Sequence, residues 1–188
     1  MERILVTGAA GQIGSELIPA LREKYGADNV VALWHTAPPA GDLAKSGPGE
    51  GLDVTDAVAF QKVLKKYAVK KVYHLASILS ALGEKDPDRA FKVNVDGLYG
   101  VFEAARNNTV EQVIVPSTIA VFGPDVPKDN VPEDVPLHPK TMYGTSKVFQ
   151  ELLGAYYFRK FGLDVRGLRF PGIISYQTEP LFGTADYA

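Results

Sequence analysis

At 188 residues the chain is long enough for one domain with a sizeable core, and 20 Lys+Arg against 22 Asp+Glu leave a formal charge of −2 without a basic block. That balance argues against nucleic acid as the main partner. The absence of cysteine excludes a disulfide framework and a thiolate metal site. Met1-Glu2-Arg3 leads straight into an apolar stretch with no resemblance to a signal peptide, and no apolar run approaches the ~20 residues of a membrane span. The expectation is a soluble, cytoplasmic protein with no membrane partner.

The first predicted strand, Arg3–Thr7, runs into Gly8-Ala9-Ala10-Gly11-Gln12-Ile13-Gly14 and then an amphipathic segment. Strand, glycine turn and helix open a nucleotide-binding βαβ unit. Gly8 permits the tight turn, and Gly14 lets helix and sheet pack closely. Gly11 lets a pyrophosphate approach the backbone N–H groups around Gln12 and Ile13, at the positive end of the helix. A glycine-rich loop without a ligand is the alternative. Ile13, Leu17 and Leu21, at i, i+4 and i+8, predict the core-facing stripe, and Pro19 within it predicts a kink.

Further strands are predicted at Val30–Trp34, weakly at 51–54, and at 71–75, 112–117 and 164–170. Phe60, Val63, Leu64 and Tyr67 mark a second helix. A third starts with Asp86 as cap and Pro87 at its first position, then shows Phe91, Val95, Leu98 and Phe102 along one face. A fourth carries Tyr143 and Lys147 and ends near Gly162. Alternating strands and helices predict an α/β, doubly wound parallel sheet of the Rossmann type. Loops 37–50 and 123–139 are rich in Pro and Gly. No repeat or linker divides the chain, so residues 1–175 are expected to form one NAD(P)-binding domain, and 176–188 to begin a substrate-loop region.

Tyr143 and Lys147 stand four residues apart, hence on one helical face, one turn apart. An ammonium beside a phenol favours the ionised form, so the Tyr143 pKa is expected to fall from ~10 and the group to carry a proton near neutral pH. Other positions fit a cofactor crevice along the strand ends: Asp53 and Val54 for an adenine edge, and Leu75, Ala76 and Ser77 where a flat ligand needs room. Asn94, Pro116, Phe170 and Pro171 complete the set. Asp53 could equally cap a helix starting at Thr55, and Asn94 could bond only to local backbone. His35, His74 and His138 lack paired ligand spacing, so no metal is expected, and His74 reads as a hydrogen-bonded strand-end residue. Ser117 lacks a G-x-S-x-G elbow, which leaves a serine hydrolase unsupported.

The glycine turn, His74-Leu75-Ala76-Ser77, Pro116-Ser117-Thr118 and Tyr143-x3-Lys147 together resemble the extended short-chain dehydrogenases/reductases, the superfamily of nucleotide-sugar epimerases and dehydratases. Closer phrases are Leu75-Ala76-Ser77-Ile78-Leu79-Ser80-Ala81, Pro116-Ser117-Thr118-Ile119-Ala120-Val121-Phe122-Gly123 and Arg169-Phe170-Pro171-Gly172-Ile173-Ile174-Ser175. These are similar to the short-chain-type L-threonine 3-dehydrogenases from Ile4 nearly to the C-terminus. The resemblance implies NAD as cofactor, L-threonine as substrate and 2-amino-3-ketobutyrate as product. Tyr143, activated by Lys147, would take the hydroxyl proton and Thr118 would hydrogen-bond the reacting oxygen. Ser80 would meet the amino or carboxylate end, and Thr184 would lie in a loop closing on substrate. It also implies a homodimer through the third and fourth helices, for which Tyr99, Tyr156 and Phe158 would form the seam if exposed.

Three departures stand against the resemblance. The second strand ends Leu33-Trp34-His35 instead of in a ribose-binding carboxylate, so Trp34 could stack on adenine and His35 bond a hydroxyl or tolerate a phosphate. Leu181-Phe182 and Ala185 replace two glycines and a threonine in the closing loop. The chain stops at Ala188 where relatives continue for on the order of a hundred residues into a substrate lobe. A fragment, or a nucleotide-binding module with little catalysis, is therefore the second expectation, and a nucleotide-sugar epimerase or dehydratase the third.

Overall fold

The computed structural model describes residues 2–173, apart from Thr109 and Lys128. Six parallel strands form one sheet in the order β3-β2-β1-β4-β5-β7, from β1 (Arg3–Thr7), β2 (Val30–Trp34), β3 (Gly49–Gly51), β4 (Val69–His74), β5 (Gln112–Ile114) and β7 (Asp164–Arg166). Helices cover both faces, which is why Ile4, Leu5 and Val6 of β1 are all fully buried rather than alternating. On one face α1 (Gln12–Tyr25) closes a small core of Ile4, Val6, Ile18, Leu21, Val30 and Ala32. On the other, α2 (Ala57–Lys66), α5 (Leu98–Arg106) and α6 (Met142–Phe161) pack Phe60, Leu64, Phe102 and Tyr157 against Leu5, Val31, Val72 and Val113. Tyr157 donates to Glu103 Oε1 at 2.6 Å, so the two long helices are joined by a polar bond as well as by apolar contact.

Strand order reverses between β1 and β4, so the crevice of the sheet opens where Thr7-Gly8 and His74-Leu75 leave it. The doubly wound architecture agrees with the sequence reading, while several boundaries and faces do not. The strand expected at 112–117 is two, because β5 ends at Ile114 and β6 (Ser117–Thr118) pairs instead with β8 (Arg169–Phe170) in a separate parallel ribbon. Pro116 breaks the first run, having no N–H to give a ladder. The strand expected at 164–170 breaks at Gly167, where a Cβ would lie 2.6 Å from Val115 O. The weak strand expected at 51–54 lies at Gly49–Gly51, where missing side chains make room for the Trp34 ring, and the Asp53 side chain ends it by accepting from Thr55 N at 2.9 Å. Asp53 does not cap α2; that is Asp56, which accepts from Ala59 N.

Two helix faces are rotated from expectation. α1 turns Gly14, Ile18, Leu21 and Arg22 inward rather than Ile13, Leu17 and Leu21, because Gly14 is pressed onto the β1–α1 turn. It runs on through Pro19, which lies on its solvent side. Arg22 then holds the irregular loop beside β2 by donating to Leu43 O, Ser46 Oγ and Pro48 O. The third predicted helix begins as read, with Asp86 accepting from Arg89 N and Pro87 opening α4 (Pro87–Phe91). A π turn at Lys92–Gly97 then inserts a residue before α5. Upstream of it Ala90, Asn94 and Gly97 point inward and Phe91 is half exposed, so the Phe91–Val95 half of the expected stripe fails and the Leu98–Phe102 half holds. A short α3 (Ser80–Lys85) was not foreseen, being too brief to show a period. α6 is capped by Thr141, which accepts from Gly144 N, and ends on the left-handed Gly162. Among the described residues no helix is long and apolar enough to cross a membrane.

Candidate active site

Local backbone chemistry builds the first half of the site. Gly8 has φ +70°, and a Cβ on it would lie 2.9 Å from Ala76 N; one on Gly14 would lie 2.3 Å from Gly8 O. Gly11 caps α1 without a side-chain hydrogen bond and no acidic residue stands in the first turn. By contrast α2, α4 and α6 are each capped by a side-chain oxygen, from Asp56, Asp86 and Thr141. The first-turn amides of Gln12 and Ile13 therefore face an opening with positive potential and no built-in acceptor, which fits a pyrophosphate. Gln12 also reaches across the crevice, Nε2 donating to Ile173 O at 3.5 Å.

Side chains tie β1 to β4 beneath that turn. Thr7 Oγ1 accepts from Leu75 N and Ala76 N, both at 3.1 Å, so its own hydrogen goes to His74 Nδ1 at 2.9 Å. His74 is thus the neutral tautomer protonated on Nε2. Burial, with the nearby Lys147 charge, pushes it down to about 3. The strand-end reading of His74 holds, and Leu75 and Ala76 lie flush against Gly8. Asn94 is not confined to local bonds: its Oδ1 accepts from Ile78 N (2.8 Å) and Ser77 Oγ (3.1 Å), and its Nδ2 donates to Ile78 O (2.9 Å) and Ser146 Oγ (3.3 Å). The π turn aims this buried amide inward, joining the segment after β4 to α6.

The second half lies on α6 and the β6–β8 ribbon. Thr118, in β6, lies near enough to the Tyr143 phenol to favour its ionised form, and Lys147 Nζ lies 5.6 Å from the centre of the Tyr143 ring. Lys147 is 6 % exposed, and its ammonium donates to Pro116 O and to Gln150 Oε1, both at 2.9 Å. Burial lowers it to about 8. The expected lowering of Tyr143 does not occur: burial raises the phenol, and Thr118 only partly offsets this. Desolvation prevails, and the ammonium gives its hydrogen bonds to two oxygens instead of to the phenol. Below the pair, Ser117 donates to Glu151 at 2.5 Å while Arg169 grips the same carboxylate through two nitrogens. That fixes β6 and β8 against α6. Glu84 of α3 accepts from Met142 N at 2.8 Å, so the half-buried Ser80, one turn earlier in α3, is held beside the start of α6.

The structure thus gathers Thr118, Tyr143, Lys147 and Pro116 at one place, with Phe170 paired to Thr118 and Pro171 next to it. Gly8, Gly11, Gln12, Ile13, Leu75 and Ala76 gather at the glycine turn, while Ser77 and Asn94 join the segment after β4 to α6. Trp34, His35, Asp53 and Val54 are a third group, on the β2–β3 side. There the half-buried Trp34 ring lies on Gly49 and Gly51, Val54 packs beside Gly97, and His35 Nε2 is 3.6 Å from Asp53 Oδ2 on the surface. Thr184, Leu181, Phe182 and Ala185 lie outside the described residues. Missed from the sequence were Thr7, Glu84, Ser146, Gln150, Glu151 and Arg169. Only Gln150 and Glu151 left a signal, as polar residues one turn after Lys147 on the same helix. An open depression of about 790 Å³ near Arg3, Asp28, Lys45 and Pro48 lies away from all of these.

Comparison with known proteins agrees with the fold. The model of the NAD dependent epimerase/dehydratase family matches residues 4–184. The structure is similar to the L-threonine dehydrogenase of Clostridium difficile (48 % identity, TM-score 0.94, covering 100 % of this chain and 58 % of that one). It is also similar to a monomeric L-threonine 3-dehydrogenase from a metagenome (46 %, TM-score 0.91, 98 % and 58 %). It is less similar to the UDP-glucose 4-epimerase of Thermotoga maritima (26 %, TM-score 0.81, 89 % and 54 %). Curated relatives, such as an uncharacterised epimerase/dehydratase of Staphylococcus saprophyticus, are 45 % identical over 188 residues, and the chain spans 58 % of that relative's length.

Proposed function

This chain belongs to the NAD dependent epimerase/dehydratase family, and on that premise we propose that it is an NAD-dependent dehydrogenase oxidising the side-chain hydroxyl of L-threonine to 2-amino-3-ketobutyrate. The observation that carries the reading is the Tyr143 phenol held against Thr118, with a buried Lys147 one turn along, at the strand ends beside an uncapped glycine turn. Bound NAD+ would supply the acceptor for the hydride on the hydroxyl-bearing carbon. Residues 8–14 would hold its pyrophosphate, with Asp53 and His35 at the adenosine end. Thr118 orients the substrate hydroxyl, and Tyr143, as the phenolate, takes its proton while the alkoxide develops. The Lys147 charge favours that phenolate against the burial that raises the phenol. Ser80 meets the amino or carboxylate end of the amino acid. Neutral His74, bonded to Thr7, keeps a second cation away from Lys147.

Support over a sugar-nucleotide reaction comes from the 46–48 % identity to threonine dehydrogenases against 26 % to a sugar epimerase. The test is NADH absorbance on mixing the whole gene product with NAD+ and L-threonine, beside UDP- and dTDP-sugars. Threonine-dependent growth of signal is expected. Conversion of a nucleotide sugar without net NADH would replace this reading by the epimerase, and cofactor binding without any turnover by the non-catalytic module. A homodimer through α5 and α6 is part of the proposal, since Tyr99, Tyr156 and Phe158 are about half exposed. Light scattering at a monomer mass would remove it.

A further inference from the structure

We infer that Gln150 is a positioning residue for Lys147, holding the ammonium and the Thr118-bearing backbone in one closed hydrogen-bonded ring. Gln150 stands one turn after Lys147 on the buried face of α6 and is 5 % exposed. Its Oε1 accepts from Lys147 Nζ at 2.9 Å, and its Nε2 donates to Val115 O at 3.2 Å and Pro116 O at 3.1 Å. Pro116 O also accepts from Lys147 Nζ at 2.9 Å, which closes the ring. The amide has only one workable orientation. A flip would set its NH2 against an ammonium, which has no acceptor, and its oxygen against two carbonyls, which have no donor.

The ring does two things. It anchors the lysine to the two backbone carbonyls just before Ser117-Thr118, so ammonium and hydroxyl move together. It also gives the buried cation a second oxygen, against the burial that lowers Lys147 to about 8. An ammonium has three N–H groups, and among the described residues its hydrogen bonds go to these two oxygens.

The titratable groups facing Lys147 are few. His74 of β4 is neutral, and Tyr143 shares the helix. Glu151 of α6 is paired with Arg169 of β8, Glu103 and Arg106 of α5 pair with each other, and so do Asp164 and Arg166 of β7. Glu84 of α3 sits on Met142 N, while Asp88 and Arg89 of α4 and Lys92 and Asp96 of the π turn are exposed. Among the described residues, Gln150 is thus the side-chain acceptor bonded to Lys147.

The test follows the Lys147 titration by NMR of 13C-methylated lysines in the whole 188-residue chain, with Lys147→Met used for assignment. Gln150→Leu removes the acceptor, and the titration is expected to fall by roughly one unit. Gln150→Glu keeps an acceptor and adds a negative charge, so the titration is expected to rise. Opposite shifts separate positioning from a packing role, which would lower the melting temperature without moving the lysine in two directions. If Gln150→Leu does not fold, a rise in Gln150→Glu supports the inference and no rise overturns it. An unmoved lysine in both folded variants overturns it as well. This readout needs no turnover, so failure of the threonine reaction and failure of the inference remain distinguishable.

Discussion

The glycine turn and the face of α6 are built by opposite means. At residues 8–14 the site is made of backbone: removing side chains lets α1 approach β1 and leaves amides open to an anion. On α6 it is made of side chains, with a buried, hydrogen-bonded ammonium and amide beside a half-buried phenol and hydroxyl. A backbone site depends on shape and tolerates no added atom. A side-chain site depends on the balance between desolvation and hydrogen bonds, and changes function without changing shape.

Variants at the two places break the molecule in mirrored ways. The largest effect is expected from Tyr143→Phe, in which turnover falls by about 10²–10⁴-fold while NAD+ affinity stays within about twofold, read by steady-state kinetics and calorimetry. Gly14→Ala places a Cβ 2.3 Å from Gly8 O. It is expected to cost about 1–3 kcal/mol of stability in urea titration and to weaken NAD+ at least about tenfold. An unaltered cofactor affinity there would contradict the close approach of helix and turn.

His74 sharpens the comparison because it sits between the two regions. Its folded value, about 3, lies below its unfolded value, so the unfolded chain binds the extra proton between the two, and stability is lost as pH falls through that window. About 2–3 kcal/mol should disappear between pH 6.5 and 4.5 from this group. His74→Asn should flatten that part of the profile, and an unchanged slope would mean the ring is not buried neutral. Trp34→Asp carries the smallest effect. A carboxylate after β2 should shift the ratio of NAD+ to NADP+ affinity about tenfold toward NAD+, and no shift would place the ribose elsewhere.

The backbone half was legible in the sequence because glycine spacing records it directly, and β1 and β2 agree with their predicted bounds residue for residue. Tyr143, Lys147 and Thr118 were also legible as residue types, and the structure brings them together. The electrostatics were not. A Tyr-x3-Lys spacing shows proximity, but it does not show that burial raises the phenol and that the lysine's hydrogen bonds turn to Pro116 and Gln150. Nor does a 3.6-residue period reveal a π turn: Phe91 and Val95 fit the stripe on paper, and one inserted residue rotates Asn94 into their place. Thr7 and His74 meet across 67 positions, which no local pattern records.

The most direct measurement is calorimetric titration of NAD+ into the 188-residue chain, with Gly14→Ala and Tyr143→Phe beside it. The expected result is one equivalent bound by the wild type and by Tyr143→Phe with closely similar affinity, and little or none by Gly14→Ala. Loss of binding in Tyr143→Phe equal to that in Gly14→Ala would contradict the division between a backbone site that holds the cofactor and a side-chain site that moves the proton.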